Sequence, residues 1–346
     1  MRIIVAAHDL GANGATMALL DLADYLTATG HSVTVVTPEK ITGPNPYIKD
    51  RFNKIGAKFL TVFNWIDFDL LITNPVFSYK IILDCKGMLP TIGWIHEAWV
   101  GVESALQNAD IVRALRSADR LVFPTTFAAD AYRSFLHGYR AEHIAIIPNA
   151  VRDPGDGPAA PKAPGKIRVV FVGSFYPRKR PGDLVKAIIL LNNPAVECVF
   201  VGDIFRLEPD IELLLEQHPH IFTRTGPLSV NDVRAVYRSA DIFCLPSSDE
   251  SFGIASLEAA SHKIPVILSD LGCYAGLWTH DRNCLMHQVG DVELLNVLLQ
   301  ALILSPTMRH RLGSEGKKTA RSFSHERFNA LFGLAIHDAM RQRDGR

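Results

Sequence analysis

Cysteine is scarce and scattered. The chain has five, Cys85, Cys198, Cys244, Cys273 and Cys284, an odd number in 346 residues and never spaced as CxxC. That pattern excludes a disulfide framework and a thiolate zinc site, and leaves reduced, mostly buried thiols. Long apolar runs are lacking too. The longest, residues 292–304, is broken by Glu293, Asn296 and Gln300, and falls well short of the roughly 20 residues that cross a bilayer. The start, Met1 to Ala7, carries one charge and a short apolar run before His8 and Asp9, so it reads as a first strand and not as a secretory signal. There is no block of about five like charges. Lys and Arg (36) balance Asp and Glu (36), so no nucleic-acid partner is indicated. No internal repeat is visible, and the only low-complexity tract is a short one rich in Pro and Gly. These absences lead to the expectation of a cytoplasmic location, with a peripheral contact at the inner face of the membrane left open.

What is present is the composition of a globular protein, 48% hydrophobic and 21% charged. At 346 residues the chain exceeds what one core organises, so two domains are expected. Short runs rich in Val and Ile alternate with segments of helical period, the pattern of parallel strands joined by crossover helices. In the first half the expected strands are residues 2–7, 32–37, 69–73, 90–96, 120–123 and 144–147. Residues 152–166, dense in Pro and Gly and without apolar period, read as a linker. Beyond it the alternation restarts at residues 167–173, 197–201, 221–225, 241–245 and 265–268. The expected division is a Rossmann-like domain over 1–151, the linker, a second Rossmann-like domain over 167–322, and a helix over 323–346 that could pack back on the first domain, its docking place left open by the sequence.

In parallel sheets of this kind ligands bind at the carboxyl ends of the strands, and the informative residues do follow strands. Gly11, Asn13 and Gly14 lie between the first strand and a helix; the glycines permit a tight turn, and the helix start offers N–H groups to a phosphate. Gly173 and Ser174 end the first strand of the second half and lead to Arg178, Lys179 and Arg180, three cations positioned to neutralise a diphosphate. Glu250 follows the strand 241–245, Phe252, Gly253 and Ile254 open a helix, and Glu258 sits about one turn in. A carboxylate beside an anion site makes sense if it accepts from ligand hydroxyls, as from the vicinal pair of a ribose.

These segments together resemble the large retaining glycosyltransferase family 4 (group 1 type). The resemblance rests on Glu250-x7-Glu258 with Gly253, preceded by Leu245, Pro246 and Ser247. It extends over nearly the whole chain through Phe171-Val172-Gly173 with Lys179, Thr37-Pro38, Ile146 to Val151, and Trp94 to Glu97. It implies a GT-B fold, α/β, with two Rossmann-like domains whose parallel sheets face an interdomain cleft. It also implies a metal-independent hexosyltransferase with no cofactor and a nucleotide-sugar substrate, UDP- or GDP-linked, working in glycan, glycolipid or polysaccharide synthesis. By position, Glu258 holds the ribose and Lys179 the diphosphate. Glu250 lies by the donor sugar with the amides of Phe252, Gly253 and Ile254, and Gly11, Asn13 and Gly14 approach the phosphate. His96 sits near the sugar and the incoming acceptor, and Leu228 near the base. His96, Glu250 and Lys179 form the expected catalytic set.

The chain departs from the family pattern. Ser174 stands where Arg is common, with Arg178 or Arg180 as substitutes. Asn13 stands where Gly is common and Ala150 follows Asn149 where Gly is common; both are accommodated if Asn takes up an unusual backbone angle. The segment Gly272 to Trp278 lacks an expected glutamate. A non-catalytic GT-B partner subunit is the alternative, and would be favoured by loss of Glu250, Glu258 or Lys179, all of which are present. A dehydrogenase is disfavoured because the loop after the first strand lacks a third glycine, and no pyridoxal-phosphate lysine signature suggests a phosphorylase. A glycan or lipid-linked acceptor is expected; residues 43–52 and 63–65 are the candidate contacts on the first domain.

Overall fold

The computed structural model describes residues 1–346 except 9, 12, 38–45, 61–62, 86, 204–206 and 345–346, and without the side chains of 342–344. Pro38 and residues 43–45 of the candidate acceptor segment therefore lie outside the described residues. The chain forms two compact units, Met1–Ala150 with His325–Arg346, and Val151–Ser324.

Unit 1 is built on a parallel sheet of β1 (Arg2–Ala7), β2 (Ser32–Val36), β3 (Lys58–Phe59), β4 (Leu70–Asn74), β5 (Thr91–Trp94), β6 (Arg120–Phe123) and β7 (Ile144–Ile146). Their order is β3-β2-β1-β4-β5-β6-β7. Ile3, Ile4, Val5 and Ala6 of β1 are all buried, as expected for a strand covered on both faces by crossover helices. The order reverses between β1 and β4, which pair in parallel from Ile3↔Leu70 to Ala7↔Asn74. At such a reversal the crossovers leave in opposite directions and open a crevice at the carboxyl ends. Asn13 and Asn74 stand at this point.

Unit 2 repeats the arrangement with β8 (Ile167–Val172), β9 (Val196–Val201), β10 (Phe222–Arg224), β11 (Ile242–Leu245), β12 (Val266–Ser269) and β13 (Leu285–His287). The order is β10-β9-β8-β11-β12-β13, and the reversal falls between β8 and β11. The loops that follow these two strands carry Lys179 and Glu250. Two Rossmann-like parallel sheets of this order are the GT-B pattern. Two strands, β3 and β13, were not among those expected; they have two and three residues and lie at sheet edges, too short for a period to register.

The helix His325–Asp344 belongs to unit 1. Phe328, Phe332, Ala335, Ile336 and Ala339 enter a core with Ile3, Val5, Ile92 and Trp94, and the Trp94 ring lies 4.9 Å from that of Phe332. Residues 152–166, expected to be a linker free of packing, are instead fastened to unit 2. The Ala160 amide donates to the Ala235 carbonyl (2.8 Å), Arg238 to Pro158 (3.0 Å) and Arg168 to Pro161 (2.6 Å), and Lys162 pairs with Asp241 (2.7 Å). Backbone carbonyls and cations hold the tract where apolar residues are lacking. Among the described residues no helix is long and apolar enough to cross a membrane.

Candidate active site

In unit 2 the turn after β8 is set by glycines at neighbouring strand ends. The Gly173 amide donates to the Val201 carbonyl (2.9 Å) and that of Gly202 to the Gly226 carbonyl (3.1 Å). A Cβ on Gly202 would lie 2.3 Å from the Gly173 carbonyl oxygen. The chain then folds through a 3-10 turn, Pro177–Lys179, which aims Lys179 at the loop after β11. Its Nζ lies 2.5 Å from Glu250 Oε1, and Ser247 Oγ donates to the same oxygen at 2.8 Å. Both side chains are largely covered, 15% exposed for Lys179 and 7% for Glu250. Glu250 Oε2 receives no hydrogen bond among the described residues.

Burial by itself would raise the Glu250 carboxyl, but Lys179, Arg178 and the Ser247 hydroxyl outweigh it and hold the group below its ordinary value. Burial lowers the Lys179 ammonium, an effect that Glu250 opposes. The pair is therefore a charged one, each member keeping the other ionised inside the protein.

Arg180, one of the two cations named to substitute at Ser174, is not free for a ligand. It adopts a left-handed conformation (φ 48°) before the helix Pro181–Leu191, and its guanidinium grips Asp183 through two bonds of 2.6 and 3.0 Å. Arg178 is the cation left over. It is half-buried, packs over the Tyr176 ring at 6.0 Å and donates to the Asp249 carbonyl at 3.2 Å. The Ser248 amide donates back to the Arg178 carbonyl (2.7 Å), so the two loops are laced together.

Gly253 caps the helix Ile254–Ser261 with φ 71° and ψ 46°, a left-handed conformation that suits glycine. The Ser256 amide donates to the Gly253 carbonyl (3.0 Å), but Gly253 has no side chain to satisfy the amides of Ile254 and Ala255, which leaves those for another acceptor. The Gly253 face is closed by Tyr274: a Cβ there would lie 2.6 Å from the Tyr274 oxygen. Among the described residues that hydroxyl is buried without a hydrogen-bond partner. Phe252 is turned inward on Phe323, with ring centroids 5.4 Å apart. Ile254 is half-buried. Glu258, half-buried, accepts from the buried Tyr237 hydroxyl at 3.4 Å. Leu228 packs partly buried against Val170, Val199, Val201 and Val236. Cys244, Cys273 and Cys284 are buried thiols; burial pushes Cys244 and Cys273 well up and Cys284 up to about 12.

In unit 1, Asn13 is not in the unusual conformation expected of it. It is extended (φ −118°, ψ 168°) and caps the helix Gly14–Ala28, its Oδ1 accepting from the Thr16 amide at 3.0 Å. A capping Asn satisfies an end-of-helix amide that Gly leaves open, which accounts for the replacement. Asn149 likewise is absent from the positive-φ residues; its side chain is buried. Gly11 is half-buried and Gly14 exposed. His96 lies two residues past β5, half-buried, with its ring 4.5 Å from that of Trp94. Burial pushes its imidazole down to about 3, so it is neutral at pH 7. Its Nε2 lies 2.7 Å from the Asn74 amide nitrogen.

Sequence reasoning passed over Asn74 and Gly202 and quoted Ser247 and Tyr274 without assigning them. Asn74 ends the strand next to β1, so the strand order would have singled it out. Among the described residues no group of three or more His, Cys, Asp or Glu could hold a metal ion.

Comparison with known proteins bears on the fold and the family. Residues 158–319 match the family described as Glycosyl transferases group 1, and residues 12–153 that described as Glycosyltransferase Family 4. The chain has the GT-B fold and is related to both families. The D-inositol 3-phosphate glycosyltransferase of Rhodococcus erythropolis is 28% identical over 242 residues, covering 65% of this chain and 54% of the relative. That of Nocardia farcinica is 32% identical over 176 residues, 46% of this chain and 39% of the relative. The chain thus spans about half the length of the curated relatives it matches. Among solved structures, Anabaena HepE in complex with UDP and glucose superposes with a TM-score of 0.80 at 17% identity, covering 97% of this chain and 99% of that one. Sucrose-phosphate synthase from Thermosynechococcus elongatus gives 0.72 at 19% identity, with 97% and 98% covered. At these identities the likeness concerns the fold.

Proposed function

We propose that the protein is a retaining glycosyltransferase that moves a sugar from a UDP- or GDP-linked donor to a hydroxyl of a glycan or lipid-linked acceptor. The observation that carries this is the Glu250 carboxylate. One oxygen is held by Lys179 and Ser247, and the other has no partner among the described residues. It stands at the carboxyl end of β11, beside a helix start whose cap, Gly253, has no side chain. A carboxylate fixed in this way accepts from sugar hydroxyls, while the cations and amides around it meet an anion.

In this reading Lys179, Arg178 and the amides of Phe252, Gly253 and Ile254 carry the charge that develops on the departing diphosphate, the main catalytic task. Glu258 accepts from the ribose hydroxyls and Leu228 lies against the base. In unit 1, Gly11, Asn13 and Gly14 are assigned to the phosphate and His96 to the donor sugar. The acceptor oxygen bonds to the anomeric carbon from the side the diphosphate leaves, the anomeric carbon–oxygen bond breaks, and the acceptor proton passes to the diphosphate oxygen. The related glycosyltransferases and the UDP complex of a protein of the same fold support the donor class.

Calorimetric titration with UDP, GDP, ADP and their sugars, on wild type and on Lys179→Ala and Glu258→Ala, tests the donor site. Micromolar to millimolar binding of one nucleotide, lost in both variants, is expected. No binding at millimolar levels, or unchanged binding in both variants, ends the proposal. Binding without transfer to any acceptor points to a non-catalytic partner subunit. NMR of the product's anomeric configuration tests retention.

A further inference from the structure

Asn74 closes β4 at the strand reversal of unit 1 and is 1% exposed. Its amide nitrogen makes two contacts, one to the Ala15 carbonyl in the first turn of the helix Gly14–Ala28 (3.4 Å) and one to His96 Nε2 (2.7 Å). The amide could be built either way round, and chemistry decides between the two. With the oxygen in the nitrogen's place, two acceptors, the amide oxygen and the Ala15 carbonyl, would face each other in a buried site. With the nitrogen there, its two protons go to Ala15 and to His96. Nε2 then accepts, and in a neutral imidazole the ring proton must reside on Nδ1. No hydrogen bond to Nδ1 is formed among the described residues, and Nδ1 is not one of the buried unpartnered atoms. The neutral form is the one favoured by burial at this position.

We propose that Asn74 is a positioning residue that locks His96 as the Nδ1–H tautomer, so that His96 offers its ligand a hydrogen-bond donor and not a base. The ligand group it recognises is an acceptor oxygen; on the function proposed above, a hydroxyl oxygen of the donor sugar. The same amide ties His96 to the helix start behind Asn13 and Gly14, so the histidine and the phosphate-facing loop are set by one side chain. A base assigned to His96 would need a free lone pair, and its one lone pair is spent on Asn74.

The test reads the tautomer in the full chain without any ligand. Histidine labelled with 15N, observed through long-range proton–nitrogen correlation at pH 7, is expected to show a protonated Nδ1 and an unprotonated Nε2 for His96; the resonance is assigned by its loss in His96→Gln. A protonated Nε2 in the wild type overturns the proposal whatever the variants do. In Asn74→Asp the carboxylate can only accept, so the tautomer is expected to invert; an unchanged tautomer in a folded Asn74→Asp also overturns it. For the ligand arm, Asn74→Asp is expected to weaken binding of the nucleotide sugar about tenfold and that of the bare nucleotide by less than about twofold. Equal losses for both overturn the sugar-directed role. If the wild type shows Nδ1–H yet binds no nucleotide sugar, the proposed function fails and the tautomer lock stands.

Discussion

Lys179 Nζ and Glu250 Oε1 meet at 2.5 Å at the carboxyl ends of two adjacent strands, with 15% and 7% of their side chains exposed. Removing one partner strands a charge that burial penalises. Lys179→Ala is expected to destabilise unit 2 by about 3–5 kcal/mol, and Lys179→Met combined with Glu250→Leu to recover most of that. Urea denaturation at pH 7 measures both. A Lys179→Ala protein as stable as wild type would show that the charges are not held in competition with solvent.

Two glycines divide by what their missing Cβ would strike. At Gly202 it would lie 2.3 Å from the Gly173 carbonyl, backbone that cannot step aside; at Gly253 it meets the far end of the buried Tyr274 side chain, which yields more readily than backbone. Both have positive φ, 138° and 71°. Gly253→Ala is therefore expected to cost about 1–3 kcal/mol and Gly202→Ala more. Chemical denaturation of the two variants side by side checks the order, and the reverse order would contradict the assigned cause.

The two arginines flanking Lys179 are expected to fail in different assays. Arg180 is consumed by Asp183 and supports the start of the helix Pro181–Leu191. Arg180→Ala is expected to lower stability by about 1 kcal/mol and leave nucleotide affinity within about twofold. Arg178→Ala is expected to weaken nucleotide-diphosphate binding about tenfold with little change in stability. Calorimetry and thermal melts on both variants decide, and identical behaviour of the two would remove the distinction.

Acid is expected to loosen unit 1 well before its carboxylates titrate. His96 is driven down to about 3 by burial, so between its ordinary value and that one the unfolded chain binds a proton that the folded chain refuses. Its contribution is complete above about pH 6.5 and is lost as pH falls toward 3. Stability followed by urea titration from pH 7 to 4 should decline, and His96→Gln should flatten the decline. An unaltered slope in that variant would assign it elsewhere.

The parallel architecture was legible because the central strands are short apolar runs between helical segments, those of β1 and β8 rich in Val and Ile, and the residues after β1, β8 and β11 stood out because they follow such runs. What did not show is tertiary. The edge strands β3 and β13 have no period to read, and residues 152–166 looked unattached because they are fastened without apolar side chains, by their backbone carbonyls to Arg238 and Arg168 and by Lys162 to Asp241. Asn74 acquires meaning only from partners on other elements, and Ser247 only from the turn that brings Glu250, three residues on, back to its hydroxyl. Arg180 read as a ligand cation because the sequence does not show that Asp183, three residues on, takes its Nε and one of its terminal nitrogens.

The last helix is part of the first unit's core. Phe332 is fully buried, with its ring 4.9 Å from Trp94 and 5.5 Å from Phe328, and Trp94 ends the strand that leads to His96. Phe332→Ala removes an aromatic ring from a packed interior, a change expected to cost about 3–5 kcal/mol. The two units have separate cores, so the cost should fall on one of them. Following the native state by hydrogen exchange should show protection lost in β1, β4 and β5 and kept in β8 and β11. Trp94 fluorescence should report the loss at lower denaturant than in wild type. Equal loss of protection in both units would mean that they unfold as one body, and the assignment of residues 325–344 to unit 1 alone would fall.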